Sequence, residues 1–306
     1  LWGKVERISP EAPVPVVALK QRENRLGGAA NVALNIQSLG ATPLICSIVG
    51  NDEKGNQLLS LMEQCHMPCD GILTSPNRKT TVKFRIIGNN TQLLRVDEET
   101  DHDLEPDETN RLFDKIAHLL QSGNIHVIIF EDYDKGVITP ALIERVVKLA
   151  GNHGIPVAVD PKKKNFMYYR GVNLFKPNMK ELREGLKLDE EPATVEEALK
   201  SVSLLQEKLN ATMILATLSD KGLIYSKRKD AEPAETGYFP AHLRQIADVS
   251  GAGDTVISVA SLCLAAGASP EVIARLANLA GGLVCEQVGV VPVNKDHLFS
   301  EARELL

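Results

Sequence analysis

The chain has 306 residues, 43% of them hydrophobic, which is enough for a large α/β domain with a substantial core. Its 34 basic and 40 acidic residues give a net charge of −6, which argues against broad binding to nucleic acids or anionic membranes. The five cysteines are scattered, no Cys/His cluster has zinc-ligand spacing, and no apolar run is long enough to span a bilayer, so we expect a reduced, cytoplasmic protein.

The first segment, residues 4–25, is predicted to be extended. Each proline in "SPEAPVPVV" drives the preceding residue towards β or polyproline geometry. The period then changes in "GGAANVALNIQSLGA", where Ala30, Ile36 and Leu39 recur at helical spacing and Gly40 ends the segment. A strand, "TPLICSIVG", and a helix, "EKGNQLLSLMEQC", are predicted to follow.

Residues 79–97, "KTTVKFRIIGNNTQLLRVD", are predicted to form a β-hairpin around "GNN". Alternation places Thr81, Lys83 and Arg85 on one face of the hairpin. With a three-residue loop, Lys83 lies opposite Arg95, and positive charge gathers on that face. We expect this hairpin and residues 4–25 to pair into a small sheet that forms a lid over a larger one.

After Asp101 the pattern alternates between helices and apolar strands, which is typical of a parallel sheet covered on both faces. We interpret "KRKDAEPAETG", residues 227–237, as a surface loop. The predicted strands are "HVIIFEDY", "IPVAVDP", "NLFKPN", "TMILATL" and "GLIYS", and the predicted helices are 106–120, 139–154, 180–186, 194–210, 252–266 and 270–287.

Polar side chains follow these strands at the edge where open α/β sheets bind ligands. They are Asp132, Asp160, Asn178, Ser219 and Asp220, to which the glycine-rich stretch "DVSGAGD" adds Asp248 and Asp254. This concentration of acids suits magnesium held through waters and phosphates.

The motifs resemble those of the ribokinase-like (PfkB) carbohydrate kinases. "DVSGAGD" is similar to the family's C-terminal signature, and "KPNMKE" to its Asn-x-x-Glu element, here Asn178 and Glu181. "TLSDKG" resembles its nucleotide turn with Ser219 in place of a frequent glycine, and "GGAAN" resembles a short form of its N-terminal substrate motif. The motifs occur in family order over nearly the whole chain.

Within the family, the closest resemblance is to the branch that phosphorylates D-glycero-D-manno-heptose 7-phosphate at the anomeric hydroxyl, in lipopolysaccharide-core precursor synthesis. This resemblance rests on the segments "RISPEAPVPVV", "LLRVDEE", "DYDKGVIT" and "DPKKKNF", together with the glycine motifs. The resemblance implies a single three-layer α/β/α domain over residues 1–306, with a mostly parallel central sheet and a small β-sheet lid. It also implies a fused or separate nucleotidyltransferase, and a strand before Leu1 that carries a sugar-binding aspartate. We expect a homodimer through the lid, because exposed sheet edges favour pairing.

The resemblance implies ATP and Mg²⁺ as cofactors and leaves open a monovalent cation. Asp254 is then the general base, and the backbone of Ser250, Gly251, Ala252 and Gly253 holds the migrating phosphoryl group at a helix N-terminus. The predicted substrate-binding residues are Gly27, Gly28, Asn31, Lys83, Arg85, Arg95, Asp132 and Lys135. The predicted nucleotide-binding residues are Asn178, Glu181, Thr217, Ser219, Gly222, Ser250, Gly251, Gly253, Asn278 and Gly282, and Glu181 is also predicted to contact the metal through water.

Structural alternatives stand beside these roles. Asp254 is also explained as a helix-stabilising acid, Asn178 with Glu181 as a helix cap, and the hairpin cations as a solvated strand face. Functional alternatives are a kinase of another sugar phosphate or of a nucleoside, and a non-catalytic sugar- or nucleotide-sensing protein. An NAD-linked oxidoreductase is excluded, because no GxGxxG motif follows an early strand.

Overall fold

The fold is described from a computed structural model that covers residues 1–229, 232–242 and 244–305. Its strands are β1 Trp2–Ile8, β2 Pro15–Gln21, β3 Ser47–Gly50, β4 Ile72–Ser75, β5 Val82–Gly88, β6 Thr91–Glu98, β7 Ile128–Glu131, β8 Val157–Asp160, β9 Leu174–Phe175, β10 Met213–Thr217, β11 Leu223–Lys229 and β12 Glu232–Phe239. Its helices are α1 Ala29–Ser38, α2 Glu53–Gln64, α3 Pro106–Gln121, α4 Pro140–Asn152, α5 Met179–Leu186, α6 Val195–Leu209, α7 Ala252–Ala265, α8 Pro270–Cys285 and α9 Lys295–Leu305.

A six-stranded central sheet runs in the order β12-β11-β10-β9-β8-β7. The strands from β7 to β10 are parallel to their neighbours, and β11 and β12 continue the sheet in antiparallel fashion. One face packs against apolar side chains of α3, α4, α5 and α6, and the other against those of α1, α7 and α8. The predicted three-layer α/β/α architecture with a mostly parallel sheet is therefore confirmed.

The prediction of a surface loop over residues 227–237 is wrong, apart from 230 and 231, which lie outside the described residues. β11 extends to Lys229 and β12 begins at Glu232, and the two strands pair in antiparallel register. The rings of Tyr225 and Phe239 stack across this pair with centroids 6.1 Å apart. Polar residues on a largely solvent-facing edge strand resemble a loop in sequence, because only one strand face needs apolar side chains.

The lid sheet has the order β2-β1-β5-β6, so both predicted lid segments pair as expected. Its hairpin turns through two residues, Asn89 and Asn90, whose φ angles of 52° and 64° match the tight turn preferred in hairpins. The predicted pairing of Lys83 with Arg95 is therefore wrong. With the shorter loop and an irregularity after Ile86, Arg85 lies opposite Arg95, and Lys83 lies opposite Asp97.

A cavity of about 2150 Å³ separates the central sheet from a small parallel sheet made of β3 and β4. Among the described residues, no strand pairs with the outer edge of β7 or with the second edge of β3. Apolar side chains of both strands and of the flanking helices line the space, among them Ile48, Ile129, Ile36 and Ile116. Strand edges and helices thus surround the cavity, as they would surround a strand in the middle layer of the fold. The cavity also extends to the candidate active site.

No helix in the described part of the chain is both long and apolar enough to cross a membrane. The five cysteine thiols, Cys46, Cys65, Cys69, Cys263 and Cys285, are free, in agreement with the expected reduced state. The cytoplasmic location stays a prediction.

Candidate active site

Asp248 fixes the conformation of the glycine-rich loop before α7 through hydrogen bonds to backbone N–H groups. Gly251 is the residue before the helix and has a φ of 84°, in the left-handed region that favours glycine. The Asp248 carboxylate accepts hydrogen bonds from the backbone N–H groups of Ser250 at 2.9 Å and Gly289 at 3.0 Å. Ser250 is therefore not a free donor, contrary to the prediction.

The other backbone N–H groups at the start of α7 differ in whether they have a hydrogen-bond acceptor. The N–H of Ala252 lies 3.3 Å from the carbonyl oxygen of Val249, whereas the N–H groups of Gly251 and Gly253 have no acceptor among the described residues. Unpaired N–H groups at a helix N-terminus favour an anion. The predicted anion site thus narrows from four residues to Gly251 and Gly253.

Asp254 lies on the first turn of α7, and two side chains from distant parts of the chain hold its carboxylate. The Asn31 amide donates to Oδ2 at 2.6 Å, and the Tyr133 hydroxyl donates to Oδ1 at 3.2 Å. Burial raises the pKa of Asp254, and the hydrogen bonds from Asn31 and Tyr133 act in the opposite direction. The motifs "GGAAN" and "DVSGAGD", at opposite ends of the chain, therefore meet in one place.

Gly28 and Tyr133 form the adjoining wall. Gly28 precedes α1 with a φ of 58°, and a Cβ added there would lie 3.5 Å from the Tyr133 ring. At Gly27, no atom lies within 4 Å of the position that a Cβ would take, so there is free space beside this residue. Sequence reasoning missed Tyr133, although its position at the end of a strand in "EDYDKG" was a usable signal.

Two further charged groups missed by sequence reasoning lie beside the loop. Lys176 is 3% exposed, and its Nζ lies 2.9 Å from Asp160 Oδ2. Burial lowers the pKa of Lys176, but the charge and hydrogen bond of Asp160 outweigh burial and leave that pKa raised. A Cβ at Gly253 would lie 3.7 Å from Lys176 Nζ, so this cation faces the same space as the helix N-terminus. Glu131 lies near Asp160 and Asp254.

Asn178 and Glu181 form a capping box at the start of α5. The Asn178 side chain accepts from the Glu181 N–H at 2.9 Å, and Glu181 Oε2 accepts from the Asn178 N–H at 2.9 Å. Glu181 Oε1 lies 2.5 Å from Lys162 Nζ. The cap interpretation of this pair is thus confirmed, and the nucleotide role stays a prediction.

The basic residues of the lid have acidic partners that sequence reasoning missed. Lys83 and Arg95 each lie 3.0 Å from Asp97, and Lys135 lies 2.6 Å from Glu99. Lys83, Arg85 and Lys135 line the large cavity together with Asp254, whereas Arg95 is not among the lining residues. The positive charge expected at the site is therefore partly balanced, and Arg95 is set apart from it.

The Asp132 carboxylate is committed to the protein interior. It is 2% exposed and accepts from the Tyr169 hydroxyl at 2.7 Å, the Asn165 amide at 3.1 Å and the Asp134 N–H at 2.9 Å. These bonds occupy much of the acceptor capacity of both oxygens. Asp132 nevertheless lines the large cavity together with Glu131 and Tyr133, so its role as a substrate ligand stays a prediction.

The predicted nucleotide turn follows β10. Thr217 forms a parallel bridge with Asn178, which brings the two nucleotide motifs together. Ser219 has a φ of 57° and Gly222 a φ of 101°, so the serine adopts the backbone conformation that explains the glycine often found in this motif.

A second cavity of about 200 Å³ is lined by Phe239, His242, Arg275 and Asn278, among other residues. The Asn278 amide donates to the carbonyl oxygen of Pro240 at 2.9 Å. Gly282 does not line this cavity, because the side chain of Arg244 packs over it. Of the two predicted adenine-pocket residues, only Asn278 therefore lies at a cavity.

Curated relatives match almost the whole chain. A protein of Geobacter sulfurreducens named "Bifunctional protein HldE" is 37% identical over 297 residues, which cover 96% of this chain and 58% of the relative. A protein of Helicobacter pylori with the same name is 38% identical over 291 residues, covering 94% of this chain and 60% of the relative. The chain thus spans about three fifths of the length of these relatives.

Solved structures share the fold at lower identity. Phosphofructokinase-2 from Escherichia coli in complex with potassium aligns with a TM-score of 0.77 at 19% identity, covering 99% of this chain and 94% of that one. Arabidopsis thaliana ribokinase complexed with ribose and ATP aligns with a TM-score of 0.72 at 16% identity, covering 98% and 94%.

The family described as "pfkB family carbohydrate kinase" matches residues 1–296. A match of this extent, with the curated relatives, identifies the enzyme class as a phosphotransferase with an alcohol group as acceptor. Together with the site at the N-terminus of α7, it shows that the chain belongs to the pfkB family of carbohydrate kinases.

Proposed function

We propose that residues 1–306 form one kinase domain that transfers the γ-phosphoryl group of ATP to the anomeric hydroxyl of D-glycero-D-manno-heptose 7-phosphate. The product is the 1,7-bisphosphate, a precursor in ADP-heptose and lipopolysaccharide-core synthesis. The observation that carries the proposal is the 2.6 Å hydrogen bond between Asn31 and Asp254, which joins the substrate motif to the phosphoryl-transfer motif. We also propose a nucleotidyltransferase, fused or separate, in the same pathway, because the relatives are named as bifunctional and this chain spans only about three fifths of their length.

In the proposed reaction, Asp254 takes the proton of the sugar hydroxyl as that oxygen attacks the γ-phosphorus. Asn31 and Tyr133 hold the carboxylate in one orientation, so the proton acceptor is positioned before the sugar arrives. The amides of Gly251 and Gly253 and the buried ammonium of Lys176 face the phosphoryl group and stabilise its charge. Little covalent work is required of the protein, because phosphoryl transfer depends mainly on positioning and charge neutralisation.

Mg²⁺ supplies charge neutralisation on the phosphate oxygens of bound ATP. The residues fit such a group, since the Glu181 side chain is a carboxylic acid that lies nearly buried in the first turn of α5. Both of its carboxylate oxygens already have protein partners, which suits a contact through water rather than direct ligation. A monovalent cation stays a prediction.

The cations of the lid are proposed to receive the phosphate at the far end of the sugar. Lys83 and Arg85 line the cavity that contains Asp254, and Lys135 lies on its wall. Their partners Asp97 and Glu99 are partly exposed, so a phosphate can replace these carboxylates without leaving a buried charge unpaired. A nucleoside kinase would be expected to present apolar or aromatic side chains here instead.

Tyr133→Phe tests the positioning of Asp254. A hydrogen bond to an ionised carboxylate lowers its pKa, so its loss raises the pKa of Asp254 further. We expect kcat to fall about tenfold, and the acidic limb of the kcat/KM profile to move to higher pH. Tyr168→Phe, at an exposed tyrosine, is the control. An unchanged acidic limb in Tyr133→Phe would remove this role.

The lid is proposed to form a homodimer contact. Its strands and loops expose apolar side chains, and Ile8, Leu19, Leu94 and Val96 are between 45% and 60% exposed. Sedimentation velocity is expected to show a dimer for the wild type and a monomer for Leu94→Asp with Val96→Asp. A monomeric wild type would contradict this proposal.

The substrate claim is tested by ADP release from ATP and Mg²⁺ with a panel of sugar phosphates and free nucleosides. We expect the highest kcat/KM with the heptose 7-phosphate and no turnover of nucleosides. Equal or faster turnover of fructose phosphates would show a kinase with another substrate. ATP binding without turnover of any acceptor would favour the sensing protein.

A further inference from the structure

The segment in which the chain leaves the lid, residues 99–104, lies against the loop that follows β7, residues 132–136. The N–H of Leu104 donates to the carbonyl oxygen of Gly136 at 2.9 Å. Gly136 has a φ of 72°, and a Cβ added there would overlap the carbonyl oxygen of His102. The lid exit and the β7 loop are therefore in direct backbone contact.

Arg78, just before β5, donates hydrogen bonds to both segments. Its guanidinium donates to the carbonyl oxygens of His102 at 2.9 Å and Thr100 at 3.3 Å in the lid exit, and to that of Lys135 in the β7 loop. Arg78 is 7% exposed, so these bonds are shielded from water. A planar guanidinium donates several bonds in fixed directions, which suits it to hold two backbone segments at one separation.

The positive charge of Arg78 is costly to bury at this position. Burial lowers the pKa of Arg78, and the charges of Glu108 and Asp103 offset only part of that effect. The three carbonyl oxygens supply further stabilisation, because a buried charge needs polar partners. The hydrogen bonds to the two segments are thus the main gain from placing an arginine here.

The β7 loop carries two side chains of the candidate active site. Tyr133 donates to Asp254 at 3.2 Å, and Lys135 lines the same cavity. Asp134 between them has a φ of 54°, a conformation that a non-glycine residue keeps only where its surroundings fix it. The bond from Arg78 to the carbonyl of the next residue contributes to fixing it.

We propose that Arg78 is a positioning residue for phosphoryl transfer. Its guanidinium holds the β7 loop against the lid exit, and this contact places Tyr133 and Lys135 for a phosphorylated sugar. The inference rests on the proposed function, in which Tyr133 orients the base and Lys135 receives the far phosphate. ATP binding does not depend on the contact, because the predicted nucleotide motifs lie on β10, α5 and α7.

The test compares the kinetics of the two substrates in Arg78→Lys, which keeps the positive charge and loses the planar fork. We expect kcat/KM for the sugar phosphate to fall by about 10–100-fold, because a displacement of about 1 Å costs up to about 10²-fold, and KM for ATP to change by less than about twofold. The control is Arg244→Lys, at another arginine, whose side chain is 9% exposed. It is expected to keep the kcat/KM for the sugar phosphate.

A double variant separates positioning from general destabilisation. Tyr133→Phe is expected to lower kcat by about tenfold in the wild type, and by about threefold or less in Arg78→Lys, where the tyrosine is already displaced. A merely structural role of Arg78 would leave the two effects multiplicative.

Hydrogen exchange of the substrate-free protein tests the contact without any turnover. Arg78→Lys is expected to exchange its backbone amides faster at residues 100–104 and 132–136, and at the wild-type rate in α8. Unchanged exchange at residues 132–136 would overturn the proposal.

The proposal would also be overturned by a wild-type kcat/KM for the sugar phosphate in Arg78→Lys, or by multiplicative effects in the double variant. A wild type that phosphorylates no sugar phosphate would contradict the proposed function instead. In that case the exchange rates would still show whether Arg78 holds the β7 loop, so the two failures are distinguishable.

Discussion

Asp254→Asn is expected to bind ATP normally and to lose turnover by roughly 10²–10⁴-fold, the usual contribution of a general base. Asparagine has nearly the same shape, and its amide oxygen can still accept the hydrogen bond that Asn31 donates to the carboxylate. What it lacks is the ability to take a proton from the sugar hydroxyl. Steady-state ADP release and nucleotide titration measure the two quantities separately.

The control addresses the alternative that Asp254 only stabilises its helix. Asp296 occupies the first turn of α9, as Asp254 occupies that of α7. An acid at this position contributes about 0.3–1 kcal/mol through the helix dipole. Asp296→Asn is therefore expected to lose a comparable amount of stability and to keep its turnover. Turnover near the wild-type value in Asp254→Asn would remove Asp254 as the base.

Lys176→Met is expected to lower the free energy of unfolding by about 3–5 kcal/mol, because it leaves the buried Asp160 carboxylate without its ammonium partner. Denaturant titration measures the change. The matched control is Lys163→Met, whose side chain is 73% exposed and lies 3.7 Å from the partly exposed Glu184. That substitution is expected to cost less than about 1 kcal/mol.

A double variant distinguishes loss of the ion pair from loss of packing. Asp160→Asn removes the charge that Lys176 balances, so Lys176→Met combined with Asp160→Asn is expected to recover most of the lost stability. If the free energy of unfolding of Lys176→Met alone were within about 1 kcal/mol of the wild-type value, the Lys176–Asp160 pair would not stabilise the fold as proposed.

The parts of the site that the sequence predicts are those encoded by local pattern and by topology. Helical periodicity predicts α1 and α7, which begin after Gly28 and Gly251 in the structure. The ends of parallel strands share one sheet edge, which brings Asp160 and Asn178 to the same region as Thr217. The sequence predicts that Asn31 binds sugar hydroxyls and that Asp254 takes a proton from the reacting hydroxyl, and a hydrogen bond joins these two side chains in the structure.

The parts that were missed depend on pairing between distant side chains. Nothing in the local pattern shows that Lys176 is buried against Asp160, or that Asp97 pairs with Lys83. The register of a hairpin changes when its loop is one residue shorter. For this reason Arg95 lies opposite Arg85 rather than opposite Lys83. The amino-acid composition of β12 also gives no indication of a strand, because an edge strand with many polar residues resembles a loop in sequence.

The most direct measurement of the central claim is the position of the new phosphate in the product made from ATP and D-glycero-D-manno-heptose 7-phosphate. We predict by phosphorus and proton nuclear magnetic resonance a 1,7-bisphosphate whose new phosphate is on the anomeric oxygen, formed with one ADP per sugar. A product phosphorylated on another carbon, or unchanged sugar after prolonged incubation with active, ATP-binding protein, would contradict the proposed function.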